Sequence, residues 1–146
     1  MTQIMKSCFI SLAILFLWQV EAGAEAADIC HCPPMMPAFQ ALCNPDFVIR
    51  AYVTGKAEVD SGAMKSIRYY THTIEVFKQP IEEIVAVYSS LECLATLQSD
   101  WAEYLITGSM EADAMVHITR CNFIKLWDKL SAAELDLLQN FQDRCR

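Results

Sequence analysis

Seven cysteines stand in a chain of 146 residues, and two of them flank a single residue in Cys30-His31-Cys32-Pro33-Pro34. Clustered thiols could bind zinc, act as nucleophiles or oxidise to disulfides, and their spacing discriminates among these. A C-x-C pair followed by isolated Cys43, Cys93, Cys121 and Cys145 lacks the C-x₂-C knuckles of structural zinc sites. The two prolines preset φ near about −65° and remove two backbone donors. This stretch therefore cannot be helix and cannot easily bond to itself, so each cysteine must be tied to a distant part of the chain. Setting aside Cys8, which lies in an apolar leader, six cysteines remain of the seven. An even set in a secreted chain implies three disulfides, with 15 connectivities between which sequence does not choose. Oxidised cysteines cannot act as thiolate nucleophiles, no Ser-His-Asp or Cys-His set is credible, and no Gly-rich phosphate loop occurs among four glycines. The chain reads as a non-enzyme, with no cofactor of its own.

Residues 1–26 read as a secretory signal. Lys6 supplies the positive start, and Cys8 to Val20 supply an apolar run of about 13 residues, shorter than the roughly 20 a membrane span needs. Ala24 and Ala26 then offer small residues for cleavage. Residues 27–146 read as one domain, long enough to bury a core. A net charge of −7 and the lack of a Lys/Arg cluster exclude nucleic acid and argue against an anionic membrane surface.

The elements that must position the cysteines are mostly strands. Ala38 to Leu42 is compatible with one helical turn. Phe47 to Thr54 is β-branched and aromatic and predicts a strand. Gly55 to Lys65 is polar, contains Asp60-Ser61-Gly62, and reads as a hairpin loop. Ile67 to Phe77 alternates, with Tyr70, His72, Ile74 and Val76 on one face. Further strands are expected at Ile84–Tyr88, Trp101–Thr107 and Met115–Thr119, with Ser89 to Thr96 as a connector. Ser131-Ala132-Ala133-Glu134 is a capping box, and apolar residues at helical spacing follow, which predicts a helix from Ala132 to about Gln142. Trp101 and Trp127 read as core aromatics, His72 and His117 as packed or surface histidines, and Glu82-Glu83 as a solvated face. Five short strands and then a helix suggest a small closed or partly closed β-barrel.

Several blocks together resemble one family. Cys30-x-Cys32-x-Pro34, Cys43 and Asp46-Phe47-Val48-Ile49-Arg50-Ala51 are similar to the opening of the tissue inhibitors of metalloproteinases. Glu103-Tyr104-Leu105-Ile106-Thr107-Gly108, His117-Ile118-Thr119-x-Cys121-x-Phe123 and Trp127-x-x-Leu130-Ser131 follow in the family's order. The resemblance is to the family's N-terminal, netrin-like domain, and it implies a five-stranded OB-fold barrel with a C-terminal helix. It also implies the pairings Cys30–Cys93, Cys32–Cys121 and Cys43–Cys145.

In function, the resemblance implies a secreted, extracellular, monomeric inhibitor of zinc metalloproteases of the matrix metalloproteinase/metzincin type. Cys30 would chelate the protease zinc through its free α-amine and carbonyl oxygen. His31 would enter the S1′ pocket, and Cys32 and Pro33 would lie along the cleft. The loop Ser89-Ser90-Leu91-Glu92 would complete the contact, with Ser90, Leu91 and Glu92 against the protease. Family members usually carry Thr or Ser where His31 stands. Their His-Pro-Gln before the third cysteine is missing here, and docking through a second six-cysteine domain is not expected. Cleavage after Ala26 would leave Ala27-Asp28-Ile29 ahead of Cys30, so chelation requires trimming to Cys30. The alternative is a non-inhibitory netrin-like module that engages a matrix or signalling protein.

Overall fold

Alternation of small and branched apolar residues builds the molecule's first wall. In the computed structural model, which describes residues 30–62, 64–79 and 83–145, Phe47, Ile49, Ala51 and Val53 are all wholly buried on one face of a single strand. That strand, β1, runs Phe47–Ser61 and turns at Gly62 into β2, Met64–Lys78. Gly62 has φ +70, a backbone region open to glycine at no steric cost.

β3 (Ala86–Ser90) pairs antiparallel with β2, and β5 (Val116–His117) runs parallel to β3 through Tyr88 and His117. β5 then pairs with β4 (Ala102–Met110), and β4 returns to β1 with Phe47 opposite Gly108. The ring β1-β2-β3-β5-β4-β1 closes a five-stranded barrel of OB-fold type, and closure removes its open sheet edges. A short β6 (Ile124–Leu126) lies along β4 beside β5.

Two apolar clusters follow from the strand period. Odd positions of β1 meet Tyr69, Val87, Tyr104, Ile106, Val116 and Ile118 inside the barrel. Val48 and Leu105 point outward and pack under the helices with Leu42, Leu137, Leu138 and Phe141. Those helices are α1 (Ala38–Cys43), α2 (Ala132–Gln139) and α3 (Phe141–Arg144). Among the described residues no helix is long and apolar enough to cross a membrane.

Several expectations need correction. Gly55 to Lys65 is not a loop. After a register shift between Val53 and Gly55 the hairpin continues to Ser61 opposite Met64. Lys56, Glu58 and Asp60 are exposed there while Ala57 and Val59 are half-buried, so a period of two was hidden by charge. β3 begins at Ala86 rather than Ile84, because the Ile84 carbonyl accepts from the hydroxyls of Thr71 and Thr73 (3.3 and 3.0 Å). The C-terminal helix is two helices, broken at Asn140, where φ −113 and ψ 27 leave the helical region. Trp101 is 62% exposed, with φ 67, and is no core aromatic. Glu82 and the leader lie outside the described residues, while Glu83 is exposed as expected.

Candidate functional site

Cys32, Cys93 and Cys121 converge on one edge of the barrel. A turn at Thr119–Asn122 fixes Cys121. The Asn122 Oδ1 accepts from the Thr119 N–H at 2.7 Å, and the Thr119 Oγ1 accepts from the Cys121 N–H at 3.1 Å. The Arg120 N–H donates to the Cys93 carbonyl at 3.2 Å, which joins this turn to the 3₁₀ turn Leu91–Cys93. The Cys93 and Cys121 sulfurs lie 3.8 Å apart.

The segment preceding that 3₁₀ turn is rigid for identifiable reasons. Ser89 is wholly buried, and its Oγ accepts from the Ala95 N–H at 2.9 Å. Ser90 caps the turn by accepting from the Glu92 N–H at 3.3 Å. Beyond Cys93, the Tyr69 hydroxyl donates to the Ala95 carbonyl at 2.8 Å and accepts from the Leu97 N–H at 3.3 Å. The Tyr104 hydroxyl accepts from the Gln98 N–H at 2.9 Å. A connector with little regular structure is thus held by three barrel hydroxyls. Thr119, Asn122, Tyr69 and Tyr104 were not singled out as site-builders from sequence. The one available signal was Thr119 and Asn122 flanking Cys121, a pair able to form local side-chain turns.

Onto this edge the chain from Cys32 is bolted by the Cys32–Cys121 disulfide, with Cα atoms 5.1 Å apart. Cys43–Cys145 is bonded likewise, also at 5.1 Å. Cys30 and Cys93 are disulfide-bonded too, so none of these six sulfurs is available as a thiolate for metal or catalysis.

Of the residues expected to contact a partner, His31, Cys32, Pro33, Leu91 and Glu92 are exposed, Cys30 and Ser90 are half-buried, and Leu91 is 46% exposed. The chain from Pro33 to Pro37 has no regular secondary structure. Its Pro33–Met36 stretch lines a groove of about 530 Å³ together with Arg120, Phe123, Ile124 and Lys125.

The groove also reaches Glu134, whose residue is 7% exposed. Burial pushes the Glu134 carboxyl up, but the Ser131 N–H and Lys125 together hold it below its ordinary value. Away from this edge, the Met115 N–H and then His117 hold the Asp113 carboxyl low, with the His117 Nε2 2.9 Å from one Asp113 oxygen. His117 is thereby a paired surface histidine, and His72 is exposed. The site offers backbone groups, a rigid edge and apolar side chains. It is equipped to bind a partner.

The family model described as tissue inhibitor of metalloproteinase matches residues 28–146. The chain belongs to this family. Among curated relatives it is similar to Metalloproteinase inhibitor 2 of Cavia porcellus, 40% identical over 88% of this chain and 61% of that protein. The corresponding Homo sapiens protein is 42% identical over 74% of this chain and 53% of its own length. For Rattus norvegicus the figures are 42%, 88% and 61%. The chain thus spans a little over half the length of these relatives.

Proposed function

We propose that this chain is a secreted inhibitor of zinc metalloendopeptidases of the matrix metalloproteinase/metzincin type, acting as a monomer with no cofactor of its own. The carrying observation is the Cys32–Cys121 bridge, which mounts the exposed Pro33–Met36 segment on the edge that also holds Cys93. On this reading the third pair is Cys30–Cys93. Cys30 chelates the protease zinc through its α-amine and carbonyl oxygen, filling the coordination position a catalytic zinc keeps open. An α-amine has a reference pKa of about 7.7–8, so the neutral ligand form is accessible near neutral pH. His31 enters the S1′ pocket, Cys32 and Pro33 follow the cleft, and Ser90, Leu91 and Glu92 contact its rim. Disulfide anchoring fixes the chelate beforehand and lowers the ordering cost of binding. Membership of the inhibitor family and the names of the relatives support the class of partner.

The test combines N-terminal sequencing of the secreted protein with titration of protein starting at Cys30 against metalloprotease catalytic domains. The expected results are a mature chain beginning at Cys30, and near loss of inhibition when one alanine is added before it. A mature chain beginning at Ala27, or equal potency of the two forms, sinks chelation, and absence of inhibition by either form favours the non-inhibitory binding module.

A further inference from the structure

Met35 is 100% exposed, the only large apolar side chain among the described residues with no burial at all. Met36 beside it is 47% exposed. Neither belongs to the barrel core or the helix cluster, so the fully exposed Met35 side chain in particular adds little to the packing of the fold. We infer that Met35, supported by Met36, is a specificity contact that selects among metalloproteases by packing on apolar surface at the rim of the cleft; this rests on the inhibitor reading above.

The backbone argues for it first. Cys32 and Pro33 each precede a proline, as does Met36, and residues before proline are held extended. Three extended residues carry Met35 about 10 Å beyond Cys32, past the part of the wedge that lies in the cleft. Pro33, Pro34 and Pro37 limit the freedom this segment has to lose, so a contact made here keeps most of its binding energy. Side-chain chemistry argues next. Methionine is unbranched, with a polarisable sulfur, and adapts to surfaces of different shape. Met35 and Met36 line a groove of mixed character, with Phe123 and Ile124 beside Arg120, Lys125 and Glu134. On the inhibitor reading, this places a flexible, exposed apolar side chain on a stiff strap next to the residues that engage the protease.

The experiment compares the parent chain with Met35→Ala/Met36→Ala and Met35→Leu/Met36→Leu variants. Inhibition constants are measured against several metalloprotease catalytic domains, with thermal unfolding of each inhibitor alongside. The alanine pair is expected to weaken inhibition of at least one protease by about tenfold or more, the scale of losing one buried methionine. It should also compress the differences among proteases. The leucine pair should stay within about threefold of the parent. All three proteins should melt close together, because Met35 is fully exposed and Met36 is 47% exposed, both outside the two apolar clusters. An alanine pair within twofold of the parent on every inhibited protease overturns the methionine contact alone and leaves the inhibitor reading standing. A parent that inhibits none of them overturns the inhibitor reading and this inference with it.

Discussion

Gly108 shows how little room one residue of the barrel has. A Cβ placed there would lie 2.3 Å from the His117 carbonyl and 2.6 Å from the Phe47 ring. Here β4 crosses from its pairing with β1 to its pairing with β5, and the bulky start of β1 fills the space above it. The requirement is for absent volume, because Gly108 has no positive φ. Gly108→Ala must move backbone and is expected to cost about 3 kcal/mol, at the upper end of overpacking penalties. Chemical denaturation would show it as a lower midpoint at unchanged slope, and a loss under about 1 kcal/mol would contradict the packing argument. Motif reading flagged this glycine as part of Glu103–Gly108 but could not supply the reason, which needs a neighbour far away in sequence. Trp101 shows the opposite failure. Its side chain looks like core material, yet it tilts against Tyr52 on the outside with ring centroids 6.0 Å apart.

At the scale of elements, sequence was informative wherever the cause was local. The capping box was legible because its partners are three residues apart. Ser131 Oγ accepts from the Glu134 N–H at 3.1 Å, and Glu134 Oε1 accepts from the Ser131 N–H at 2.8 Å. Its third contact was not legible: Lys125 Nζ, from β6, donates to the same oxygen at 2.9 Å and ties α2 to the barrel. The long hairpin was not legible because Lys56, Glu58 and Asp60 make its outer half look like a polar loop, although the odd positions Ala57 and Val59 keep the same more buried face as Phe47 to Val53. Arg50, Glu103 and Trp127 come from three separate motif blocks and meet on the outer face. The Arg50 Nε donates to Glu103, and its guanidinium lies 4.1 Å from the Trp127 ring. The Glu134 contact gives a pH prediction with a definite sign. A carboxyl whose folded pKa is depressed contributes stability that is present above its unfolded value of about 4.3 and lost as pH falls through the folded value. Glu134→Gln should therefore lower stability at pH 7 by about 1 kcal/mol, and the difference from the parent should shrink towards pH 3. Urea midpoints measured across that range decide it, and a difference that grows on acidification contradicts the assignment.

Across the whole molecule, the disulfides Cys32–Cys121 and Cys43–Cys145 have nearly equal reach and different tasks. Cys32–Cys121 spans 89 residues and Cys43–Cys145 spans 102. In the chain-entropy account those lengths differ in effect by only about 0.1 kcal/mol, and each bridge alone is worth on the order of 4–5 kcal/mol as an upper figure. Overlap of the loops lowers the cost of removing either one. Any difference in function between the two variants therefore cannot come from global stability. Cys43–Cys145 staples α1 to the end of α3 over the outer cluster of Leu42, Leu137 and Phe141. Cys32–Cys121 staples the exposed segment to the turn joined with Cys93. On the inhibitor reading only the second bridge orders the binding edge. Cys43→Ser/Cys145→Ser and Cys32→Ser/Cys121→Ser are expected to lose similar stability, about 3 kcal/mol each. Assayed at a temperature where both remain folded, the first should inhibit within about fivefold of the parent. The second should weaken by about a hundredfold or more, the cost of ordering a freed segment on binding. Equal losses of inhibition in the two variants would mean that the edge is held by the barrel as a whole and not by its own bridge.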